Sequence, residues 1–173
     1  EAAQPKPLVV AHHMHLSGQI LSAVKQGTPV IVLIRDPLDA CISLHLREPG
    51  LSPDLCLQLY LEFHKPLLPH FSSIVVAPFE WVTSNYAEVI EQVNQRFGSS
   101  FAPYINSPAA DKKILESMDN LPLRENEYTV ARPTAEKRTK KKELMTVFNG
   151  DQYKTLLEAC KTVYSHFEDA VLF

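Results

Sequence analysis

The stretch from residue 29 to residue 48, PVIVLIRDPLDACISLHLRE, carries the clearest signal of secondary structure in the chain. Its first part, 29–34, is a continuous apolar run rich in β-branched residues, which predicts a strand covered on both faces of a parallel sheet. Asp36 supplies an N-cap oxygen and Pro37 suits the first position of a helix, so we predict that a helix begins there. Arg35 therefore lies at the carboxyl end of a strand, where open α/β sheets bind their ligands.

The helix that follows carries a hydroxyl on the same side as its start. Ser43 comes seven residues after Asp36, which is two helical turns. A guanidinium and a hydroxyl directed at one crevice suit a phosphate group. Two simpler interpretations stay open: Arg35 is a surface arginine that pairs with Asp36 or Asp39, and Ser43 bonds to its own backbone.

Strand and helix patterns alternate along the chain, which predicts a three-layer α/β/α domain with a parallel sheet. Two more buried strands are predicted, at 8–12 and 73–77. The other predicted helices are 16–26, 52–65, 84–97, 109–120, 137–148 and 151–167. We expect residues 1–173 to form a single domain, with 99–173 as its helical, loop-rich C-terminal part.

Composition narrows the class of protein. The chain has 173 residues, a net charge of −3 and 45% hydrophobic residues, which argues against a general nucleic-acid binder. Three cysteines, Cys41, Cys56 and Cys160, lack metal-ligand spacing, so we predict buried free thiols and a cytoplasmic location. No apolar run is long enough to span a bilayer, and no signal-peptide pattern is visible. Because the chain begins at Glu1, we expect it to be a fragment or a processed product.

Three histidines follow the first predicted strand, at His12, His13 and His15. A metal site is disfavoured because no cysteine or carboxylate lies nearby in the sequence to complete it. A general base is the more plausible role, since His15 shares the carboxyl-end rim with Arg35. An ordinary solvated loop histidine is the alternative.

A basic segment stands out in this acidic chain. Arg132 is followed by five basic residues within 137–142. The segment is either a solvated helix face or a flap that closes over a phosphate. Two aromatic residues, Phe79 and Trp81, follow the predicted strand 73–77. Each either packs in the core or stacks on an adenine ring. We predict core packing for Trp81 and keep both interpretations for Phe79.

These residues resemble a known family. Arg35, the pair Asp36-Pro37, Asp39 and the eight-residue step from Arg35 to Ser43 are similar to the 3′-phosphate-binding segment of P-loop-type sulfotransferases. Those enzymes use 3′-phosphoadenosine-5′-phosphosulfate (PAPS). Two further segments resemble the family: Met14-His15-Leu16-Ser17, twenty residues upstream of the arginine, and Phe79-Glu80 after the predicted strand 73–77.

The resemblance implies a P-loop NTPase-like fold and specific roles. His15 would be the catalytic base, and Arg35 and Ser43 would bind the 3′-phosphate of PAPS or of its product PAP. Phe79 would lie near the adenine, and Arg132 and Arg138 would be contacts of a late basic loop. The acceptor would be a small molecule or a glycan with a hydroxyl or amine group, with no metal and no nucleic acid involved. Nothing in the sequence sets the oligomeric state.

The resemblance covers about residues 8–98 and has one large gap. The family's 5′-phosphosulfate loop, a Pro-Lys/Arg-Ser-Gly-Thr-like turn, has no counterpart in this sequence. We therefore expect the chain to correspond to the C-terminal two-thirds of a sulfotransferase and to bind PAPS poorly by itself. Two alternatives stay open: a catalytically silent, sulfotransferase-derived interaction module, and a P-loop kinase relative, which would need an upstream Walker loop.

Overall fold

The computed structural model describes residues 10–11, 14–104, 107–119 and 135–171, and it shows an α/β structure with a small parallel sheet. The strands are β1 (Ile31–Ile34) and β2 (Val75–Pro78). The α-helices are α1 (Ser17–Lys25), α2 (Pro37–Arg47), α3 (Pro53–His64), α4 (Phe79–Ser84), α5 (Tyr86–Phe97), α6 (Pro108–Asp119), α7 (Ala135–Phe148) and α8 (Lys154–Asp169). Two 3₁₀ helices, Lys65–Ser73 and Asp151–Tyr153, precede β2 and α8.

The two strands pair directly, and α2 and α3 cross from one to the other. They run parallel, with Ile31 opposite Val75 and Ile34 opposite Pro78. This confirms the predicted α/β class and the parallel sheet. The predicted strand 8–12 falls largely outside the described residues, and its described members, residues 10 and 11, lie in neither a helix nor a strand.

One face of the sheet carries the first core cluster. Val32 and Ile34 of β1 are each 1% exposed and lie in this cluster with Val76 of β2. The cluster also takes side chains from α1, α8 and the 3₁₀ helix before β2, namely Ile20, Val163, Phe167 and Leu67. The hydrophobic effect at this face holds the strand pair to the helices.

The other face of β1 is not covered as the sequence predicted. Ile31 and Leu33 are 41% and 48% exposed, so the strand alternates and is not covered on both faces. The reason is where the helices pack: α4 and α5 lie against β2. An unbroken apolar run shows that a strand can be buried on both faces, and the packing of other elements decides whether it is.

A second core cluster lies between α2, α3, α7 and α8. Its buried members are Cys41, Ile42, Cys56, Leu57, Tyr60, Phe148, Leu157 and Cys160. All three cysteines are free and buried, as predicted. Burial raises the pKa of Cys56 to about 11 and that of Cys160 to about 12, so these thiols stay protonated at neutral pH.

The helices lie close to the predicted ranges, and two of their predicted ends are present. The Asp36 carboxylate accepts a hydrogen bond from the Asp39 amide at 2.9 Å, so the predicted N-cap of α2 is present. The predicted helix 84–97 ends at Gly98, whose positive φ of 62° is the usual left-handed helix end.

Two segments were not predicted as helical: Lys65–Ser73, a long 3₁₀ helix that contains Pro69, and α4. Among the described residues, no helix has the length and apolar character that crossing a bilayer requires.

The cap of α2 can be tested against a matched neighbour. Asp36→Ala should lower the free energy of unfolding by about 1 kcal/mol, since it removes a real N-cap hydrogen bond. Ser52, the N-cap residue of α3, makes no such side-chain bond, so Ser52→Ala should change stability by no more than a few tenths of a kcal/mol. Urea unfolding of both variants measures this difference. Equal losses would contradict the assigned role of Asp36.

Candidate functional site

A groove of about 240 Å³ opens beside the carboxyl end of β1 and contains three of the predicted site residues. Its polar and aromatic lining residues are Arg35, Ser43, Arg47, Tyr60, His64 and Phe79. Two of them are guanidinium groups, and none of the groove's lining residues is a carboxylate. Their carboxylate partners, Asp39 at 3.6 Å from Arg35 and Glu48 at 3.5 Å from Arg47, do not line the groove, so the two arginines favour an anionic ligand there.

The strand register explains how Arg35 and Phe79 meet. Ile34 lies opposite Pro78, so the next residue of each strand emerges at the same end of the sheet. The guanidinium carbon of Arg35 lies 4.4 Å from the centre of the Phe79 ring, within the range of a cation–π contact. The ring therefore supports the guanidinium at the mouth of the groove.

Helix α3 supplies the inner wall through two residues one turn apart. The Tyr60 hydroxyl donates to the main-chain oxygen of Arg35 at 3.0 Å and fixes the chain where β1 passes into α2. The His64 ring stacks on Tyr60 with ring centres 4.1 Å apart, and its Nδ1 lies 2.8 Å from the Tyr60 main-chain oxygen. Because a carbonyl oxygen only accepts, Nδ1 must carry the proton, which leaves Nε2 as an acceptor.

Both of these side chains are uncharged at neutral pH. Burial lowers the pKa of His64 to about 4, and it raises the pKa of the Tyr60 phenol well above its usual range. The inner wall is thus polar and neutral, while Arg35 and Arg47 carry the charge of the groove. An occupant would meet its charge partners at the arginines and uncharged rings at Tyr60 and His64.

Asp39 lies beside the groove and contacts two cations. Its carboxylate is 3.6 Å from the Arg35 guanidinium and 2.7 Å from the ammonium of Lys141 on α7. The simpler interpretation of Arg35, a pairing with Asp39, is therefore present in the structure, but at the longer of the two distances.

The remaining predicted site residues are not in this groove. His15 is exposed and precedes α1; it is not among the residues that line the groove. Arg138 is exposed on α7, and Arg132 lies outside the described residues. His12 and His13 also fall outside them. Trp81 packs against the first core cluster, as predicted.

Three contributors to the site were not predicted from the sequence, Arg47, Tyr60 and His64, and Lys141 was named only as one of the basic residues of 137–142. Tyr60 and His64 do carry a signal, because two ring residues four apart on a helix share one face. Lys141 carries none that separates it from the neighbouring basic residues, since only the packing of α7 selects it.

A larger cleft of about 340 Å³ lies at the start of β2 and α5. It is lined by Val75, Val76, Glu88, Glu91 and Arg96, among others, and by none of the predicted site residues. Two carboxylates against one guanidinium make it a poor place for a phosphate. The smaller groove is therefore the candidate site.

Comparison of the chain with protein-family models, with curated proteins and with solved structures finds no match. Within the described residues, no three His, Cys, Asp or Glu side chains are grouped so as to hold a metal ion.

The buried histidine predicts how stability depends on pH. His64 has a pKa of about 4 in the folded protein and 6.5 when unfolded, so the unfolded chain binds an extra proton between these values. Stability should fall as the pH drops from about 6.5 to about 4, by about 3 kcal/mol for this group. His64→Phe keeps an aromatic ring and removes the titration, so its stability should depend less on pH by that amount. Urea unfolding at pH 7, 5.5 and 4 measures the difference, and an unchanged pH dependence in the variant would contradict the assignment.

Proposed function

We propose that this chain is the 3′-phosphate-binding part of a PAPS-dependent sulfotransferase with a P-loop-type fold. The observation that carries the proposal is the groove in which Arg35, Ser43 and Phe79 come together. The strand–helix pattern and the family resemblance together predicted these three residues as site residues, and they line one groove whose lining has no carboxylate. The α/β class and the parallel sheet are compatible with the fold that this family uses.

In this proposal the 3′-phosphate of the nucleotide binds at the arginines. The Arg35 guanidinium offers a planar set of donors that matches phosphate oxygens, and Arg47 adds a second charge at the same groove. The Ser43 hydroxyl donates a further hydrogen bond. The Phe79 ring packs against the Arg35 guanidinium and offers an apolar surface to the nucleoside.

His64 suits the neutral part of the same nucleotide. His64 lines the groove, and because its Nδ1 donates to the Tyr60 carbonyl, its Nε2 could accept a hydrogen bond from a donor of the ribose or the adenine. A neutral acceptor avoids a charge at a position where the ligand has none. The groove would thus separate a charged subsite at the arginines from an uncharged one at α3.

The transfer step follows from the chemistry of PAPS. An acceptor hydroxyl or amine attacks the sulfur in line with the departing phosphate oxygen, so a new S–O or S–N bond to the acceptor forms as the bond between sulfur and the phosphate oxygen of PAP breaks. The acceptor proton passes to His15, which acts as the general base, and PAP leaves as an anion. Catalysis would rest mainly on positioning and on stabilisation of charge at the leaving group. No metal is required.

A second function, a silent interaction module, has its own supporting observation. Ile31 and Leu33 expose apolar surface on β1, and β1 pairs with β2 on one edge only among the described residues. Open strand edges and apolar patches are surfaces to which other chains bind. We rank the transferase first because Leu33 lines the same groove as Arg35 and Arg47, so part of this apolar surface belongs to the proposed nucleotide site.

Binding of adenosine 3′,5′-bisphosphate tests the phosphate subsite. Arg35→Ala should weaken binding at least about tenfold, since a charge-assisted bond to phosphate contributes about 1.5–3 kcal/mol. Lys161→Ala removes the same charge from α8, where Lys161 pairs with Glu158, and should leave affinity unchanged. NMR titration of backbone amides measures both, with adenosine 5′-monophosphate as the ligand that lacks the 3′-phosphate. Equal binding by the wild type and Arg35→Ala would refute the subsite.

Turnover of PAPS by the full-length protein tests His15 separately. His15→Ala should lower the rate of PAP release by about 10²–10⁴-fold, the usual contribution of a general base. His70→Ala, in the 3₁₀ helix before β2, serves as the matched histidine control and should keep the wild-type rate. An undiminished rate in His15→Ala would remove His15 from the mechanism. No turnover by the wild type, with a range of hydroxyl and amine acceptors, would favour the interaction module.

A further inference from the structure

The carboxylate of Asp39 is shared unequally between two cations. Its Oδ1 lies 2.7 Å from Lys141 Nζ, which is the distance of a charge-assisted hydrogen bond. Its Oδ2 lies 3.6 Å from Arg35 Nη2, which is an ion pair without a hydrogen bond. Arg35 is the local neighbour, four residues before Asp39, yet the residue from the distant helix α7 is the closer partner.

This inequality matters for any anion in the groove. A carboxylate one turn away from Arg35 can form a bidentate pair with the guanidinium, and that pair would use the donors that a phosphate needs. At 3.6 Å the pair is not formed in this way. Lys141 also offsets the negative charge that Asp39 would otherwise place next to the groove.

The packing of α7 explains why Lys141 occupies this position. Phe148 is fully buried in the second core cluster, and Leu144 packs against that cluster. Lys141 precedes Phe148 by two helical turns, so it lies on the side of α7 that faces α2. Lys140, one residue earlier, pairs with Glu136 on the exposed side of the same helix. The basic segment thus has a solvated side and, on its other side, Lys141, which is directed at α2, one of the helices that line the groove.

We propose that Lys141 is a positioning residue for the anion site: by holding Asp39, it keeps the Arg35 guanidinium available to the phosphate of the ligand. This inference rests on the proposed function, in which Arg35 binds the 3′-phosphate. It assigns to the basic segment a role that does not require contact with the ligand.

A double-mutant cycle separates this role from a direct attraction between Lys141 and the ligand. In the wild-type background, Lys141→Met should weaken the binding of adenosine 3′,5′-bisphosphate about two- to fivefold, because Asp39 then pairs with Arg35. In the Asp39→Asn background the same substitution should cost almost nothing, since no carboxylate remains to be held. Asp39→Asn alone should bind as tightly as the wild type or more tightly.

Three controls complete the design. Lys141→Arg keeps the pairing with Asp39 and should retain the wild-type affinity. Lys140→Met removes the same charge from the exposed side of α7 and should also leave affinity unchanged. Thermal unfolding of each variant verifies that it is folded, and methionine keeps the apolar stem of Lys141, so loss of the fold is not expected.

The outcomes are distinct. Equal losses from Lys141→Met in both backgrounds would mean a direct attraction and would overturn the proposal, as would no loss in the wild-type background. Equal binding by the wild type and Arg35→Ala would overturn the phosphate subsite itself and this inference with it. A loss with Arg35→Ala but none with Lys141→Met would overturn the inference alone.

Discussion

The pairing register of two short parallel strands is the constraint on which the rest of the site depends. Ile34 lies opposite Pro78, so the residues that follow them, Arg35 and Phe79, leave the sheet side by side. A shift of one residue would turn the side chains of β2 to the other face and separate the ring from the guanidinium. The register is held by burial of Val32, Ile34 and Val76 in one core cluster. The hydrophobic core thus fixes the position of a charged group that lies outside it.

Around that point, the structure keeps charge and burial apart. The buried ring residues of the inner wall, Tyr60 and His64, are held neutral by desolvation. The charged groups, Arg35, Arg47 and Lys141, remain partly exposed and pair with Asp39 or Glu48. Such an arrangement lets a groove hold an anion without the large desolvation cost of burying isolated charges. The affinity of the groove for an anion then depends on how closely the Asp39 carboxylate pairs with Arg35 and with Lys141.

The sequence predicted the local parts of this site well, because local rules determine them. The cap at Asp36, the start of α2 at Pro37 and the placement of Arg35 after a strand all follow from residues within one turn of each other. Ser43 and Phe79 were predicted from their places after the strands and again by the family resemblance, and the structure brings both to the groove of Arg35. The tertiary parts were not predicted. The exposure of Leu33 could not be predicted from nearby residues, because it depends on where α5 packs. The pairing of Lys141 with Asp39 could not be predicted either, because it depends on where α7 packs.

The proposed binding of a nucleotide 3′-phosphate in this groove can be followed by ³¹P NMR. Adenosine 3′,5′-bisphosphate carries two phosphorus atoms with separate resonances, so one titration shows which of them the protein holds. Added protein should shift and broaden the 3′ resonance more than the 5′ resonance, and Arg35→Ala should abolish this difference. A larger effect at the 5′ resonance, or the same pattern with Arg35→Ala, would contradict binding of the 3′-phosphate at Arg35.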